Sequence, residues 1–159
     1  MGKFRHICGM EQLNFKRYTF TFKNKENKRY IFDIIRKKEI LLTPEEWVRQ
    51  HCLRFLMEEK KYPIGLINVE KKIEIFGKQK RYDIVVYTKT GTVAVLVECK
   101  APKIEINQGV FDQIARYNLS VDSTYLMVTN GLKHVYCQMD YQAQAYNFLQ
   151  DLPSYTADK

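Results

Sequence analysis

The sequence predicts a mixed α/β (α+β) fold in which a mixed β-sheet lies between helices. A capped amphipathic segment over residues 43–60 predicts a first helix. Three strand-like runs with short connections follow it, and a second helical segment over 107–118 precedes a further pair of strands. Helices that alternate with groups of strands in one short chain are typical of a sheet covered on its faces.

The first helix has a clear start signal. Thr43 is a candidate N-cap, Pro44 suits the first helical position, and Glu46 lies three residues after the cap. The apolar stripe that follows consists of Val48, Cys52, Phe55 and Leu56. This spacing predicts a helix that packs one face against the sheet.

Three strands are predicted next, at about residues 66–76, 81–88 and 92–100. The turns that join them, over 77–80 and 89–91, are short. Because short connections join antiparallel neighbours, the three strands are expected to form an antiparallel meander.

The second helix is predicted to begin after Asn107, a candidate cap, and carries a stripe made of Val110, Ile114 and Tyr117. An apolar strand over 124–129 then leads through Asn130-Gly131, a strong hairpin signal, into a strand over 132–138.

The two ends of the chain are expected to add to this core. Runs over 17–23 and 28–33 alternate like strands and predict a β-hairpin within an N-terminal extension, residues 1–42. Residues 43–140 are the expected core domain. The rest, residues 141–159, is expected to be a tail that packs on the core and begins with a short helix. We also expect the first nine residues to be a flexible tail, or to precede the natural start at Met10.

The 159-residue chain is basic, with a formal net charge of +8. This charge suits a polyanionic partner. The basic clusters are Lys23–Arg29, Arg36–Lys38, Lys71–Lys72 and Lys78–Arg81, and a solvated turn is the alternative for each. No run of 18 apolar residues and no secretory signal is present, which predicts a cytoplasmic protein without membrane association.

Cysteine and histidine spacing gives no metal motif. The four cysteines (Cys8, Cys52, Cys99 and Cys137) are far apart, so a zinc knuckle is excluded and buried reduced thiols are expected. The histidines (His6, His51 and His134) are scattered and are interpreted as structural or exposed.

Two neighbouring strands carry the residues most typical of a chemical site. Asp83 opens the apolar run of the second strand, whereas Glu98 and Lys100 close the third. Because strand side chains alternate, Glu98 and Lys100 share one side and Cys99 points away. Charges at the end of a buried run need partners, and a divalent metal and a phosphate are suitable. For Asp83, the structural alternative is an ion pair with Arg81 or Lys100.

The pattern of an Asp, fourteen intervening residues and then Glu-x-Lys resembles the PD-(D/E)xK phosphodiesterase signature. This chain has Arg-Tyr-Asp at the place where Pro-Asp is frequent in that family. With Gln113 and Tyr117 on the next helix, residues 43–137 resemble the nuclease domain of type I restriction endonuclease R subunits, and also RecB-type nucleases. This resemblance implies a restriction-endonuclease-like αβββαβ core. The sequence contains no G-x-x-x-x-G-K-[ST] loop, so we expect a nuclease domain without a motor.

The resemblance also implies the site. Asp83 and Glu98 would be catalytic ligands of Mg²⁺, with Mn²⁺ as a substitute, and the backbone carbonyl of Cys99 would be a further ligand. Glu46 is an additional candidate ligand, although its position in the helix cap explains it without metal. Lys100 is expected to be a charged catalytic residue that orients water, since carboxylates and phosphate favour the charged form. The alternatives are a neutral general base and a salt bridge to Glu98.

Four residues are expected to contact the substrate: Gln113, Tyr117, Lys103 and Arg116. Gln113 and Tyr117 share a helix face. Tyr117 also continues the apolar stripe, so a core position is its alternative. For Lys103, a solvated loop is an equal alternative, and Arg116 is the weaker phosphate contact.

These observations predict a Mg²⁺-dependent DNA endonuclease of the restriction–modification kind. Protein partners are expected to supply specificity, and a homodimer is one way to cut both strands. Two other functions stay open: a non-catalytic nucleic-acid-binding module with the same fold, and an interaction subunit whose tyrosine-rich surface docks on a larger assembly.

Overall fold

The computed structural model describes residues 10–157, so the expectations for residues 1–9, including Cys8 and His6, lie outside the described residues. In chain order, the strands and helices are β1 (Phe22–Lys25), β2 (Lys28–Asp33), β3 (Lys38–Leu41), α1 (Pro44–Arg54), β4 (Ile67–Ile75), β5 (Lys78–Tyr87), β6 (Val93–Cys99), α2 (Gln108–Asn118), β7 (Tyr125–Thr129), β8 (His134–Asp140) and β9 (Ala145–Leu149). A π-helical turn, Phe55–Glu59, continues α1.

The main sheet has six strands in the order β4-β5-β6-β7-β8-β9. Strands β4, β5 and β6 form the predicted antiparallel meander, and β6 pairs in parallel with β7. Parallel neighbours need a crossover connection, and α2 lies in the segment that joins β6 to β7. The sheet is therefore mixed, as the sequence predicts.

The two helices cover opposite faces of this sheet. The face toward α1 packs Val48, Cys52, Leu53 and Leu56 of the helix against Ile84, Val86, Val95 and Val97 of the sheet. The face toward α2 packs Phe111, Ile114 and Ala115 of the helix against Val85, Leu96, Leu126 and Val128. Both sides of the central strands are thus buried, and the predicted α+β fold class is confirmed.

Helix α1 begins as predicted and is buried on all sides. Thr43 Oγ1 accepts a hydrogen bond from the backbone N–H of Glu46 at 3.1 Å. Its apolar stripe faces the sheet, while Phe20 from the N-terminal part covers the other side and packs against Trp47 and His51. Glu46, Arg49 and Gln50 are consequently buried as well, so they require polar partners.

The N-terminal extension differs from the predicted hairpin. It is a three-stranded antiparallel sheet, β1-β2-β3, and its first strand begins at Phe22 rather than at residue 17. The turn is formed by Glu26 and Asn27 alone, both with positive φ. Residues 17–21 alternate in polarity because their rings pack on α1, not because they pair in a sheet.

The predicted helix over residues 141–150 is wrong, because this segment contains strand β9. Antiparallel pairing with β8 places Phe148 opposite Cys137. Tyr146 and Phe148 then point to the same side and pack on Phe111 of α2, with ring centroids 5.0 and 5.2 Å away. A period of two places these rings on one face of a strand. The end of the chain packs on the core, where Leu152 is buried.

The cysteines and histidines of the described residues have structural positions, as predicted. Cys52, Cys99 and Cys137 are buried free thiols. Burial lowers the pKa of His51 to about 4, and His134 is bonded to Thr129 and to the carbonyl of Asn14. No helix within residues 10–157 is long and apolar enough to cross a bilayer.

The turn after β7 provides a test of how the N-terminal segment packs. Gly131 has a φ of +85°, and a Cβ there would lie 2.7 Å from Leu13 and 3.1 Å from Val48. Gly91 has a similar φ of +87° with open space around it. We expect Gly91→Ala to lower the free energy of unfolding by about 1–2 kcal/mol through backbone strain. Gly131→Ala should lower it by about 1–3 kcal/mol more through overpacking. Urea unfolding of both variants measures the difference, and equal losses would contradict the packing of Leu13 on this turn.

Candidate active site

Asp83 and Glu98 lie side by side where β5 and β6 leave the centre of the sheet. Ile84 pairs with Val97, so the same register places Asp83 opposite Glu98 one position further along. Asp83 Oδ2 accepts a hydrogen bond from the backbone N–H of Cys99 at 2.8 Å. Asp83, which was predicted to open the apolar run of β5, is thus hydrogen-bonded to the end of β6.

Glu98 is partly buried, and one of its carboxyl oxygens is shielded from solvent. Cys99 points to the α1 face, where its thiol lies 3.8 Å from that of Cys52, so the predicted alternation about Glu98 is present. Glu98 Oε1 is buried and has no hydrogen-bond partner. Burial, followed by the negative charge of Asp83, raises the pKa of Glu98 to about 8. The raised pKa favours the protonated form of this carboxyl group in the ion-free protein.

The partner of Asp83 is Arg49, which the sequence analysis did not single out. The Arg49 side chain is 6% exposed, and its Nη2 donates to Asp83 Oδ1 at 2.7 Å and to Glu45 at 3.0 Å. The structural alternative for Asp83 was an ion pair with Arg81 or Lys100. Instead, Arg81 pairs with Glu70 at 3.8 Å, and Lys100 forms no ion pair within the described residues.

Glu46 belongs to the same network. Its carboxylate accepts hydrogen bonds from Arg36, Arg49 and Gln50, the last at 3.0 Å. Arg36 also donates to buried Asp33 at 2.7 Å. The Glu46 carboxylate is therefore bonded to arginines and an amide, whereas its helix-capping role is confined to its backbone N–H.

Lys80 connects the pair of acids to α2. Its Nζ lies 4.3 Å from the ring centroid of Tyr117 and 4.8 Å from that of Tyr82. Burial lowers the pKa of Lys80, and the charge of Glu98 opposes that shift. Lys80 was predicted to lie in a turn, but it lies within β5, close enough to Glu98 and Asp83 for their charges to affect its pKa. The basic cluster Lys78–Arg81, just before Asp83, is the sequence signal by which Lys80 could have been found.

The predicted substrate contacts on α2 are exposed. Tyr117 is 55% exposed, so its alternative role as a core residue is wrong. A shallow depression on α2 is lined by Gly109, Asp112, Gln113, Arg116, Tyr117 and Ser120. The structure therefore groups Gln113, Arg116 and Tyr117 on one surface, next to Lys80. Lys103 is also exposed, but it lines a different depression, beside Pro44 and Trp47 at the start of α1.

The oxygen atoms at this site are suited to a hard divalent cation. Mg²⁺ prefers one or two carboxylates, completed by waters and substrate phosphate. Asp83 and Glu98 supply that number, and the unpartnered Glu98 Oε1 offers a free lone pair in a buried position. Within residues 10–157 no group of three or more acidic, histidine or cysteine side chains is placed to hold an ion. The residues present fit an open site rather than a closed protein cage.

The structure thus combines a mixed sheet, a helix on each of its faces and paired acids at the ends of adjacent strands. The family model described as "Type I restriction enzyme R protein N terminus (HSDR_N)" matches residues 44–153. The chain belongs to this family.

A solved structure gives a weaker likeness. A fragment assigned as the HsdR subunit of a type I restriction enzyme from Vibrio vulnificus YJ016 is 20% identical in sequence, with a TM-score of 0.48. The match covers 71% of this chain and 24% of that one. No curated protein matches the sequence.

The pKa of Glu98 predicts a specific pH dependence. The unfolded chain releases this proton near pH 4.5, whereas the folded, ion-free protein keeps it until about pH 8. The protonated Glu98 carboxyl group therefore makes its full contribution to the free energy of unfolding below pH 4.5, and this contribution is lost as the pH rises to 8. We expect Glu98→Gln to become more stable relative to the wild type as the pH rises through this window, because the amide has no proton to lose.

Urea unfolding in EDTA between about pH 5 and pH 8.5 measures this difference. The matched control is Glu105→Gln, at an exposed residue. The difference in unfolding free energy between this variant and the wild type should not rise with pH as it does for Glu98→Gln. A difference for Glu98→Gln that is constant across the window would contradict the buried, protonated carboxyl group.

Proposed function

We propose that this domain is a Mg²⁺-dependent endonuclease acting on DNA, of the PD-(D/E)xK kind found in type I restriction R subunits. The observation that carries the proposal is the adjacent Asp83–Glu98 pair. Glu98 Oε1 is buried and has no hydrogen-bond partner, and Lys100 follows Glu98 by two residues. Membership of the R-protein N-terminal family supports it. A cytoplasmic location is part of the proposal.

The ion would be held by the carboxylates of Asp83 and Glu98 and the backbone carbonyl of Cys99. When bound, Mg²⁺ polarises the phosphate and lowers the pKa of a bound water. Glu98 must lose its proton to act as a ligand, so ion binding is coupled to proton release. The Cys99 N–H and Arg49 keep the Asp83 carboxylate oriented for this role.

Two lysines supply positive charge near the scissile phosphate. Lys100 directly follows β6, and its charge acts on the Glu98 carboxyl group. Lys80 approaches from β5 across the rings of Tyr82 and Tyr117. We assign Lys100 to orienting the attacking water and stabilising the negative charge that develops on the phosphoryl oxygens, not to removing a proton.

The substrate would lie against the exposed face of α2. Gln113, Tyr117 and Arg116 line that face and suit contacts with the sugar–phosphate backbone. Such contacts fix position without reading sequence. Sequence specificity would come from protein partners of a restriction complex. Cutting both strands would require a homodimer or two successive nicks.

The main test is cleavage of DNA in Mg²⁺ or Mn²⁺ by the unaltered protein and by Lys100→Ala. We expect the alanine variant to lose about 10²–10³-fold in turnover, as for loss of one charge-stabilising donor. Its affinity for Mn²⁺, measured by calorimetry, should be unchanged or higher because a positive charge beside the ion has been removed.

The exposed lysine in the β5–β6 turn gives the control variant Lys89→Ala, whose turnover should match the wild type. Full activity of Lys100→Ala would remove Lys100 from the mechanism. Failure of the unaltered protein to cut any DNA would favour a non-catalytic binding module.

The α2 surface is tested with Tyr117, because its ring and hydroxyl have separable roles. Tyr117→Phe keeps the ring beneath Lys80, whereas Tyr117→Leu removes the cation–π contact, which is about 0.5–1 kcal/mol at exposed sites. We expect Tyr117→Leu to reduce cleavage more than Tyr117→Phe, with little change in unfolding free energy for either since the residue is exposed. Equal loss in both variants would assign the role to the hydroxyl.

A further inference from the structure

The hairpin formed by β4 and β5 extends beyond the rest of the sheet. These strands pair with each other from Ile67 to Ile75, whereas β6 pairs with β5 only from Ile84 onward. Residues 71–82 therefore form a two-stranded extension that begins at the Asp83–Glu98 pair. Ile73, Ile75 and Tyr82 pack on the α2 side of the core, whereas Phe76 in the turn at the far end is exposed. We refer to residues 71–82 as the arm.

The arm is strongly basic. It contains Lys71, Lys72, Lys78, Lys80 and Arg81 against a single acid, Glu74. Cross-strand register places three lysines on one face of the arm: Lys71 beside Tyr82, Lys78 beside Ile75, and Lys80 beside Ile73. Within the described residues, no acid pairs with Lys71 or Lys78. Lys80 joins this face to Tyr117, so the basic face leads toward the proposed substrate surface.

The tip of the arm carries a feature that folding does not explain. Phe76 is 92% exposed and, with Gly77, forms a two-residue turn in which both residues have positive φ, 49° and 73°. Such turns strongly prefer Asn-Gly or Asp-Gly. A bulky aromatic residue in this region is a conformational outlier. Neither packing nor turn geometry therefore accounts for phenylalanine, and an outlier of this kind indicates function.

We propose that the arm binds a nucleic-acid strand, with its lysines in contact with the phosphates and Phe76 stacked on an unpaired base. The position of that base relative to the cut rests on the proposed nuclease function. Lysine–phosphate contacts follow from charge complementarity. An exposed ring adds a stacking platform that tolerates any base, because every base has a π-face.

The length of the arm fixes where that base lies. Asp83 follows Phe76 by seven residues, which in a strand is about 23 Å. A stacked strand advances about 3.4 Å per nucleotide, so the base would lie about seven nucleotides from the phosphate at Asp83 and Glu98. The substrate class inferred is DNA that is unpaired some distance to one side of the cut, such as a junction or a locally opened duplex.

The first experiment measures binding of the full chain to fluorescent DNA in Ca²⁺, which holds the complex without relying on cleavage. Three DNAs are compared: a fully paired duplex, a single strand, and a duplex joined to an unpaired segment. Phe76→Asn removes the ring and suits the turn, while Phe76→Trp keeps an aromatic platform. Ile64→Asn, at a half-exposed apolar residue outside the arm, is the matched control.

We expect Phe76→Asn to weaken binding to the single strand and the junction by about 5- to 100-fold, with the paired duplex unchanged. Phe76→Trp and Ile64→Asn should bind like the wild type. The salt dependence of Phe76→Asn should be unaltered, whereas the double variant Lys71→Gln/Lys78→Gln should flatten the log–log slope on single strands by about 1.4.

Wild-type affinity of Phe76→Asn for all three DNAs would overturn the proposal, as would equal weakening on all three. Vesicles containing anionic lipid test the competing partner: if Phe76→Asn abolishes vesicle binding and leaves DNA binding intact, the arm is a membrane contact and the proposal fails. The two hypotheses fail separately. Absence of Mg²⁺-dependent cleavage refutes the nuclease, and only the Phe76-dependent binding in Ca²⁺ decides the arm.

Discussion

A single buried arginine connects the parts of this protein that hold the acidic pair. Arg49 extends from α1 to Asp83 on β5, and it also bonds Glu45 and Glu46 of its own helix. Removing one partner from a buried ion pair costs about 3–5 kcal/mol, because the remaining charge is left unpaired. The orientation of α1 on the sheet, the burial of Glu46 and the direction of the Asp83 carboxylate therefore all depend on Arg49. The N-terminal sheet matters because it covers α1 and keeps water from this network.

Among the described residues, Glu98 is the acid of this network without an arginine partner. Arg36 and Arg49 pair with Asp33, Glu46 and Asp83, whereas burial and then the charge of Asp83 raise the pKa of Glu98. This arrangement is unfavourable for stability by itself, since a buried carboxyl oxygen without a partner is costly. Sites that hold such strain are typical of function, because a ligand of the right charge relieves it. Neither Lys80 nor Lys100 forms an ion pair with an acid among the described residues.

The sequence predicted the core of the fold because strong local signals agreed there with tertiary structure. Thr43 and Asn107 cap the two helices as expected, and the spacing of Asp83 and Glu98 matched their register. Arg49 was missed because it follows Glu45 by four residues and Glu46 by three, a spacing typical of a solvated helix face. Its burial depends on the N-terminal sheet, which the helix sequence alone does not show. Strand β9 was missed because alanine and glutamine, which favour a helix, are frequent over residues 141–150, whereas pairing with β8 decided the conformation. Lys80 was assigned to a turn because Gly77 marks the turn without showing how short it is.

The β4–β5 hairpin also leaves β4 at the edge of the six-stranded sheet, where no strand of residues 10–157 pairs with its outer side. A nine-residue edge strand is a template for pairing with another chain, and charged side chains, especially lysine, are the usual protection. Lys71, Lys72 and Glu74 occupy this edge, whereas Val69, Ile73 and Ile75 would favour continued pairing. The lysines thus restrain self-association along β4 whatever else they bind. Replacing Lys71 and Lys72 with apolar residues would leave a β-rich edge open to pairing with further copies, so solubility as well as any ligand limits which residues these positions accept.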